Sequence, residues 1–123
     1  MPTILFVEDH LEMRALHCAF LEQQGYRVVA AADGPSAVKA AHDYHPNIII
    51  LDHSLPGLTG TQVAEELKGD IETAAIPIVM VTAHAYGAVG RRARAAGCEA
   101  FLAKPCSPRR ILDEIVRFIG PPN

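Results

Sequence analysis

The sequence predicts an α/β fold: a (βα)5, doubly wound, five-stranded parallel sheet with strand order 2-1-3-4-5. Three observations carry this. Five short apolar runs recur along 123 residues. Each is followed by a stretch with apolar residues at helical spacing. The runs are continuous rather than alternating, as strands covered on both faces should be. Right-handed crossovers then lay the helices on the two faces of one sheet.

The first strand is Ile4-Leu5-Phe6-Val7. A helix follows from Leu11 to Gln24, with Met13, Leu16, Phe20 and Leu21 near one face, and Gly25 caps its end. Val28 to Ala31 is the second strand. Gly34-Pro35 opens a helix running from Pro35 to Tyr44, since proline suits the first helical turn. Ala37, Val38, Ala41 and Tyr44 lie on it at helical spacing. The third strand, Ile48 to Leu51, follows Pro46-Asn47, and the next helix, Thr61 to Lys68, carries Val63, Ala64 and Leu67. Pro77 introduces the fourth strand, Ile78 to Val81. The helix from Ala88 to Ala96 is weakly apolar and holds Gly90 in its interior. Ala100 to Ala103 is the fifth strand. Ser107 caps the last helix, Pro108 to Ile119, whose stripe is Ile111, Leu112, Ile115, Val116 and Ile119.

Composition narrows the function. Hydrophobic residues are 50% and charged residues 20%, the balance of an ordinary globular domain. A chain of this length folds without a disulfide or metal staple. Residues 1–123 therefore read as a single domain. The net charge of −3 argues against direct nucleic-acid binding. No apolar run approaches the ~20 residues of a membrane span, and the N-terminus lacks the basic start of a signal peptide. Cys18, Cys98 and Cys106 are odd in number, far apart and form no CxxC pair. No disulfide framework is expected, and a reducing, cytoplasmic setting follows.

In a doubly wound sheet, chemistry sits beyond the carboxyl ends of the strands. Glu8 and Asp9 end the first strand, Asp52 the third, Thr82 the fourth and Lys104 the fifth. Crowded carboxylates repel, and a hard divalent cation with oxygen ligands relieves them. A carboxylate is also a nucleophile toward phosphorus. The ion, Lys104 and Thr82 would share the charge of the transferred phosphoryl oxygens.

Four segments carry a resemblance: Val7-Glu8-Asp9, Leu51-Asp52-His53-Ser54-Leu55-Pro56-Gly57-Leu58-Thr59-Gly60, Val81-Thr82-Ala83 and Ala103-Lys104-Pro105. Together they resemble the receiver domain of two-component response regulators, from Thr3 to Gly120. The resemblance implies the flavodoxin-like, CheY-like form of the fold. It implies Asp52 as phosphoacceptor and Mg²⁺ as cofactor, with Mn²⁺ as a substitute. The ion would be held by Glu8, Asp9, Asp52 and the backbone carbonyl of Ser54. Thr82 matches the hydroxyl that follows the phosphoryl group, Phe101 the aromatic switch, and Lys104 the phosphoryl-binding lysine. Lys104-Pro105 matches a peptide that is cis in the family. His53, Ser54 and His84 occupy positions that tune phosphoryl lifetime. Glu8 stands where the family more often has aspartate, Phe101 where tyrosine is common, and Cys106 where a bulkier apolar residue is usual. The implied partner is a sensor histidine kinase or a histidine phosphotransfer protein. The implied output is a changed affinity of the surface formed by the fourth helix, fifth strand and fifth helix for a downstream protein. The chain would catalyse only its own phosphorylation and dephosphorylation.

Blander readings stand beside these. Asp52 alone reads as a strand-end cap, Glu8-Asp9 as a helix-start cap, Thr82 as a β-branched strand residue and Lys104 as a solvated loop lysine. Phe101 reads equally as a core aromatic. Arg91, Arg92 and Arg94 are a solvated helix face or a docking surface. Gly87 and Gly90 weaken the first turn of that helix. His42 and His45 read as a surface pair rather than a zinc site, and Cys18 as a buried small hydrophobe. Three rival functions remain. A pseudo-receiver would only bind proteins. An aspartate-dependent phosphatase of the haloacid dehalogenase type needs a second acid where Ser54 stands. A flavin-binding protein needs a phosphate loop where Glu8-Asp9-His10 would repel phosphate. With no DNA-binding module after residue 120, the chain is expected to act alone, in a phosphorelay, or as a segment of a larger kinase or regulator.

Overall fold

The computed structural model describes residues 1–83 and 86–122. Its elements are β1 (Thr3–Val7), α1 (Leu11–Gln23), β2 (Arg27–Ala31), α2 (Gly34–Tyr44), β3 (Ile48–Asp52), α3 (Gly60–Lys68), β4 (Ile78–Thr82), α4 (Gly87–Ala95), β5 (Ala100–Ala103) and α5 (Pro108–Ile119). All strand pairs are parallel, in the order β2-β1-β3-β4-β5. This is the expected doubly wound sheet, with element ends displaced by at most one residue. Two of those displacements bring Asp52 and Thr82 inside β3 and β4 as their last residues.

The continuous apolar runs are explained by two cores. Successive strand side chains point to opposite faces. Leu5, Val7, Ile49, Leu51, Ile78 and Met80 meet α2, α3 and α4 through Ala37, Ala41, Val63, Leu67 and Ala93. Ile4, Phe6, Ile48, Ile50, Val79 and Val81 meet α1 and α5 through Leu21, Ile111, Leu112 and Ile115. Cys18 is half-buried against the second core rather than fully buried. All three thiols are free, and burial pushes Cys18 up to about 11 and Cys98 to about 12, so neither is a thiolate at neutral pH.

The apolar stripe of α1 differs from expectation. Met13 and Leu16 are exposed, while His17 and Leu21 are buried. The pair is spaced i, i+4, and the His17 ring stacks on Phe6 at 5.2 Å between centroids. Val116 and Tyr44 are likewise exposed. Ser107 caps α5 as expected, its hydroxyl accepting from the Arg110 amide at 3.1 Å. The cap of α1 is His10, whose Nδ1 accepts from the Met13 amide at 3.4 Å, so neither Glu8 nor Asp9 serves there. Asp9 is left exposed with its carboxylate available.

Candidate phosphoacceptor site

β3 lies between β1 and β4, so the central strand delivers Asp52 between the Glu8-Asp9 turn and Thr82. The following chain must turn sharply onto α3. Gly60 makes that possible, because a Cβ there would sit 2.7 Å from the Asp52 carbonyl oxygen and from the His53 Cα. Gly57 has φ +83°, a conformation that side chains avoid. The Leu55-Pro56-Gly57-Leu58-Thr59-Gly60 segment is thus shaped by backbone contacts beside the acid. Thr59 then starts α3 with a reciprocal cap to Gln62.

Glu8, Asp9 and Asp52 bring one carboxylate oxygen each within 4.8 Å of one another. Glu8 and Asp52 are buried. Lys104 Nζ donates to Asp52 Oδ2 at 2.9 Å and lies 3.9 Å from Glu8 Oε1. The Ser54 amide donates to Asp52 Oδ1 at 3.3 Å. Both Asp52 oxygens are therefore held. Glu8 is pushed up to about 7, first by burial and then by its hydrogen bond to Asp52, against the His10 amide and Lys104. Burial and the adjacent Asp52 thus favour a proton on Glu8 near neutrality.

Thr82 is buried at the end of β4, opposite Ala103. The Lys104 amide donates to the Thr82 carbonyl at 3.0 Å, so the two residues share one sheet register. Lys104-Pro105 is cis, as the sequence resemblance implied. Phe101 pairs with Met80 in register and packs partly buried against the first core. The Arg94 guanidinium lies 4.6 Å from its ring centroid. Arg91, Arg92 and Arg94 are all exposed on α4. His53 borders a groove with Thr59 and Arg92. Ser54 is exposed at the cavity wall, and His84 lies outside the described residues. The site opens into a cavity of about 630 Å³ whose apolar lining includes Phe6, Ile50, Val81 and Ile111.

Two residues near the site escaped the sequence reading. Arg14 Nη1 donates to the Glu8 carbonyl at 2.9 Å and reaches the Asp9 carbonyl at 3.5 Å. It braces the backbone of the acidic pair, and its sequence signal was a cation in the first turn of the next helix. His17 lines the same cavity. Its Nδ1 is buried and has no hydrogen-bond partner among the described residues, and burial together with Lys104 lowers its pKa.

The donor set is oxygen-only, anionic and open on one side, which fits Mg²⁺ and suits no soft metal. Burial and the neighbouring Asp52 both disfavour the charged form of Glu8, and a cation bound there would oppose them. Comparison with known proteins agrees with this chemistry. The response regulator receiver domain family matches residues 4–116. The polar-differentiation response regulator DivK of Brucella ovis is 34% identical over 118 residues, covering 96% of each chain. The receiver domain of the sensor histidine kinase PA1611 from Pseudomonas aeruginosa is 32% identical, with a TM-score of 0.88 over 97% of this chain and 98% of that one. It was solved with a magnesium ion coordinated in its active site cleft. The chemotaxis protein CheY4 of Vibrio cholerae superposes with a TM-score of 0.90 at 28% identity, over 97% of this chain and 99% of that one. With the family match running from β1 into α5, and the acidic strand ends gathered around one buried aspartate, the chain belongs to the response regulator receiver domain family, the signalling modules of two-component systems.

Proposed function

We propose that residues 1–123 act as one receiver domain in which Asp52 accepts a phosphoryl group from a phosphohistidine. The observation that carries this is the buried Asp52 carboxylate, held by Lys104 and the Ser54 amide with Glu8 and Asp9 beside it. An Asp52 oxygen attacks phosphorus, and the P–N bond to the donor imidazole breaks. Its electron pair stays on the nitrogen, which takes up a proton. The product is an aspartyl phosphate. Mg²⁺ held by Glu8, Asp9, Asp52 and the Ser54 carbonyl would supply positive charge to the phosphoryl oxygens, and Mn²⁺ would serve similarly. Lys104 moves its donor from Asp52 to the phosphoryl oxygens. Thr82 supplies a hydroxyl donor at the adjacent strand end. His53, Ser54 and His84 tune the lifetime of the phosphoryl group.

The donor is a sensor histidine kinase or a histidine phosphotransfer protein, since receiver domains interact with these. Among the described residues no helix is long and apolar enough to cross a membrane. A cytoplasmic setting is proposed from the kinship with two-component receiver domains. The output is a protein surface rather than a released product. A phosphoryl group adds roughly −1.5 to −2 charges. Thr82 and Lys104 follow it, and Phe101, under Arg94, responds by packing alone. The exposed Arg91, Arg92 and Arg94 then present the docking face. Tyr86 gives the start of α4 no side-chain cap, and Gly87 stands in its first turn at φ +80°. Amides there should exchange faster than those at the Ser107-capped start of α5. Equal protection by hydrogen exchange would remove α4 as the responsive element.

The direct test is intact mass after incubation with acetyl phosphate and Mg²⁺. Wild type should gain one phosphoryl group, and Asp52→Asn or EDTA-treated protein none. No gain by wild type, together with no beryllofluoride complex, would leave a module that only binds proteins. Gain by Asp52→Asn would move the acceptor elsewhere.

A further inference from the structure

We propose that His42, Asp70 and Glu72 form a second cation site, suited to zinc rather than magnesium. His42 lies in the last turn of α2, and Asp70 and Glu72 in the connection between α3 and β4. One ligand atom from each lies within 4.8 Å of the other two. The sequence pairs His42 with His45, but the fold gives it two carboxylates from a segment far along the chain.

The geometry suits an ion. His42 Nε2 and Asp70 Oδ2 are 3.4 Å apart. Two ligands on a tetrahedral zinc, with bonds of about 2.0–2.1 Å, are separated by about 3.3 Å. A charge-assisted hydrogen bond would be nearer ~2.7–2.9 Å. The other Asp70 oxygen accepts from the Glu72 amide at 2.9 Å, which fixes the carboxylate. The connection is itself held. The buried Thr73 hydroxyl donates to the Leu67 carbonyl at 2.7 Å, and Lys68 Nζ to the Ala74 carbonyl at 3.0 Å. Lys68 is also tied to Glu99 at 2.7 Å, which directs that ammonium toward other partners.

Electrostatics point the same way. α2 ends two residues after His42, and α3 ends at Lys68, just before Asp70. Two helix C-termini therefore direct negative dipole ends toward this place, which favours a cation. One imidazole with two carboxylates is a borderline donor set that zinc accepts, whereas Mg²⁺ prefers oxygen alone. His42 and Asp70 are each about a third exposed, so water completes the coordination. Asp52 ends β3, and the intervening α3 runs back before Asp70. The ion would clamp α2 to the α3–β4 connection, at the sheet edge opposite the phosphoacceptor.

The test is zinc titration by calorimetry with Mg²⁺ in large excess, so that the acidic pocket is occupied. Wild type should bind one Zn²⁺ per chain, and Asp9→Asn should bind it unchanged. His42→Gln and Glu72→Gln should each weaken binding about tenfold or more, a loss of ~1.4 kcal/mol or more. Co²⁺ in place of zinc should give the visible absorption of a tetrahedral ion, lost in His42→Gln. These substitutions lie at partly exposed positions, and far-UV circular dichroism checks that the fold persists. Absence of binding by wild type would overturn the proposal. So would binding that survives both substitutions, or that disappears in Asp9→Asn.

Discussion

Replacing Lys104 by methionine should slow phosphorylation from acetyl phosphate by about a hundredfold or more while tightening Mg²⁺ binding several-fold. The two changes have one origin. Lys104 is the resident cation of the pocket, 2.9 Å from Asp52 and 3.9 Å from Glu8. In the proposed transfer it is the side-chain ammonium placed to follow charge onto the phosphoryl oxygens. Removing one such donor typically costs ~10²–10³ in rate. Before transfer, the same charge opposes a divalent ion among the same carboxylates. Two charges about 4 Å apart interact by ~1 kcal/mol in water and ~4 kcal/mol near a protein surface. The Lys104 side chain is 37% exposed, so the lower end applies, and ~1 kcal/mol is roughly fivefold in affinity. Lys104→Arg keeps the charge but not the shape, and should restore metal affinity to the wild-type level without restoring the rate. The chain has no tryptophan, so calorimetry is the suitable readout for the metal. Unchanged Mg²⁺ affinity combined with an unchanged phosphorylation rate in Lys104→Met would mean that the lysine is only a strand-end neighbour.

The fold was legible because its signals are local and repeated. Ile4 to Val7, Ile48 to Leu51 and Ile78 to Val81 are apolar at every position, which only a sheet covered on both faces requires. The acidic pair, Asp52, Thr82 and Lys104 were legible because parallel topology brings strand ends to one edge. What escaped depended on side-chain direction. On α1, periodicity favoured Met13 and Leu16, but the ring of Phe6 made His17 the better buried neighbour. Either Asp9 or His10 could have capped α1, and the fold uses the imidazole, leaving the carboxylate beside the pocket. Arg14 acts through backbone carbonyls, which leave no mark in side-chain patterns. His42 meets Asp70 only because α2 packs on α3, a contact that spacing along the chain does not encode.

Stability should fall as pH rises from 6 to 8 in EDTA and stay nearly level in saturating Mg²⁺. Glu8 sets the sign. Its folded pKa is about 7, above the ordinary 4.5, so between those values the folded state binds more protons than the unfolded state. Stability then declines with rising pH until Glu8 is ionised in both states. A shift of this size is worth at most about 3 kcal/mol across the whole interval, of which roughly 1 kcal/mol falls between pH 6 and 8. That is roughly 3–6 °C in melting temperature for a domain of this length. Mg²⁺ bound as proposed would favour the ionised carboxylate and the folded state, so it should lift the curve most at pH 8. His17 contributes the opposite slope. Its folded pKa lies below 6.5, so its stabilisation is complete above that pH and is lost as pH falls. Below pH 6.5 the two groups oppose each other, and the apo curve should be flattest there. Glu8→Gln should abolish the decline between pH 6 and 8, and His17→Leu should steepen the decline that begins in the acid range. A decline of equal size with and without Mg²⁺, retained in Glu8→Gln, would place its cause outside the acidic pocket.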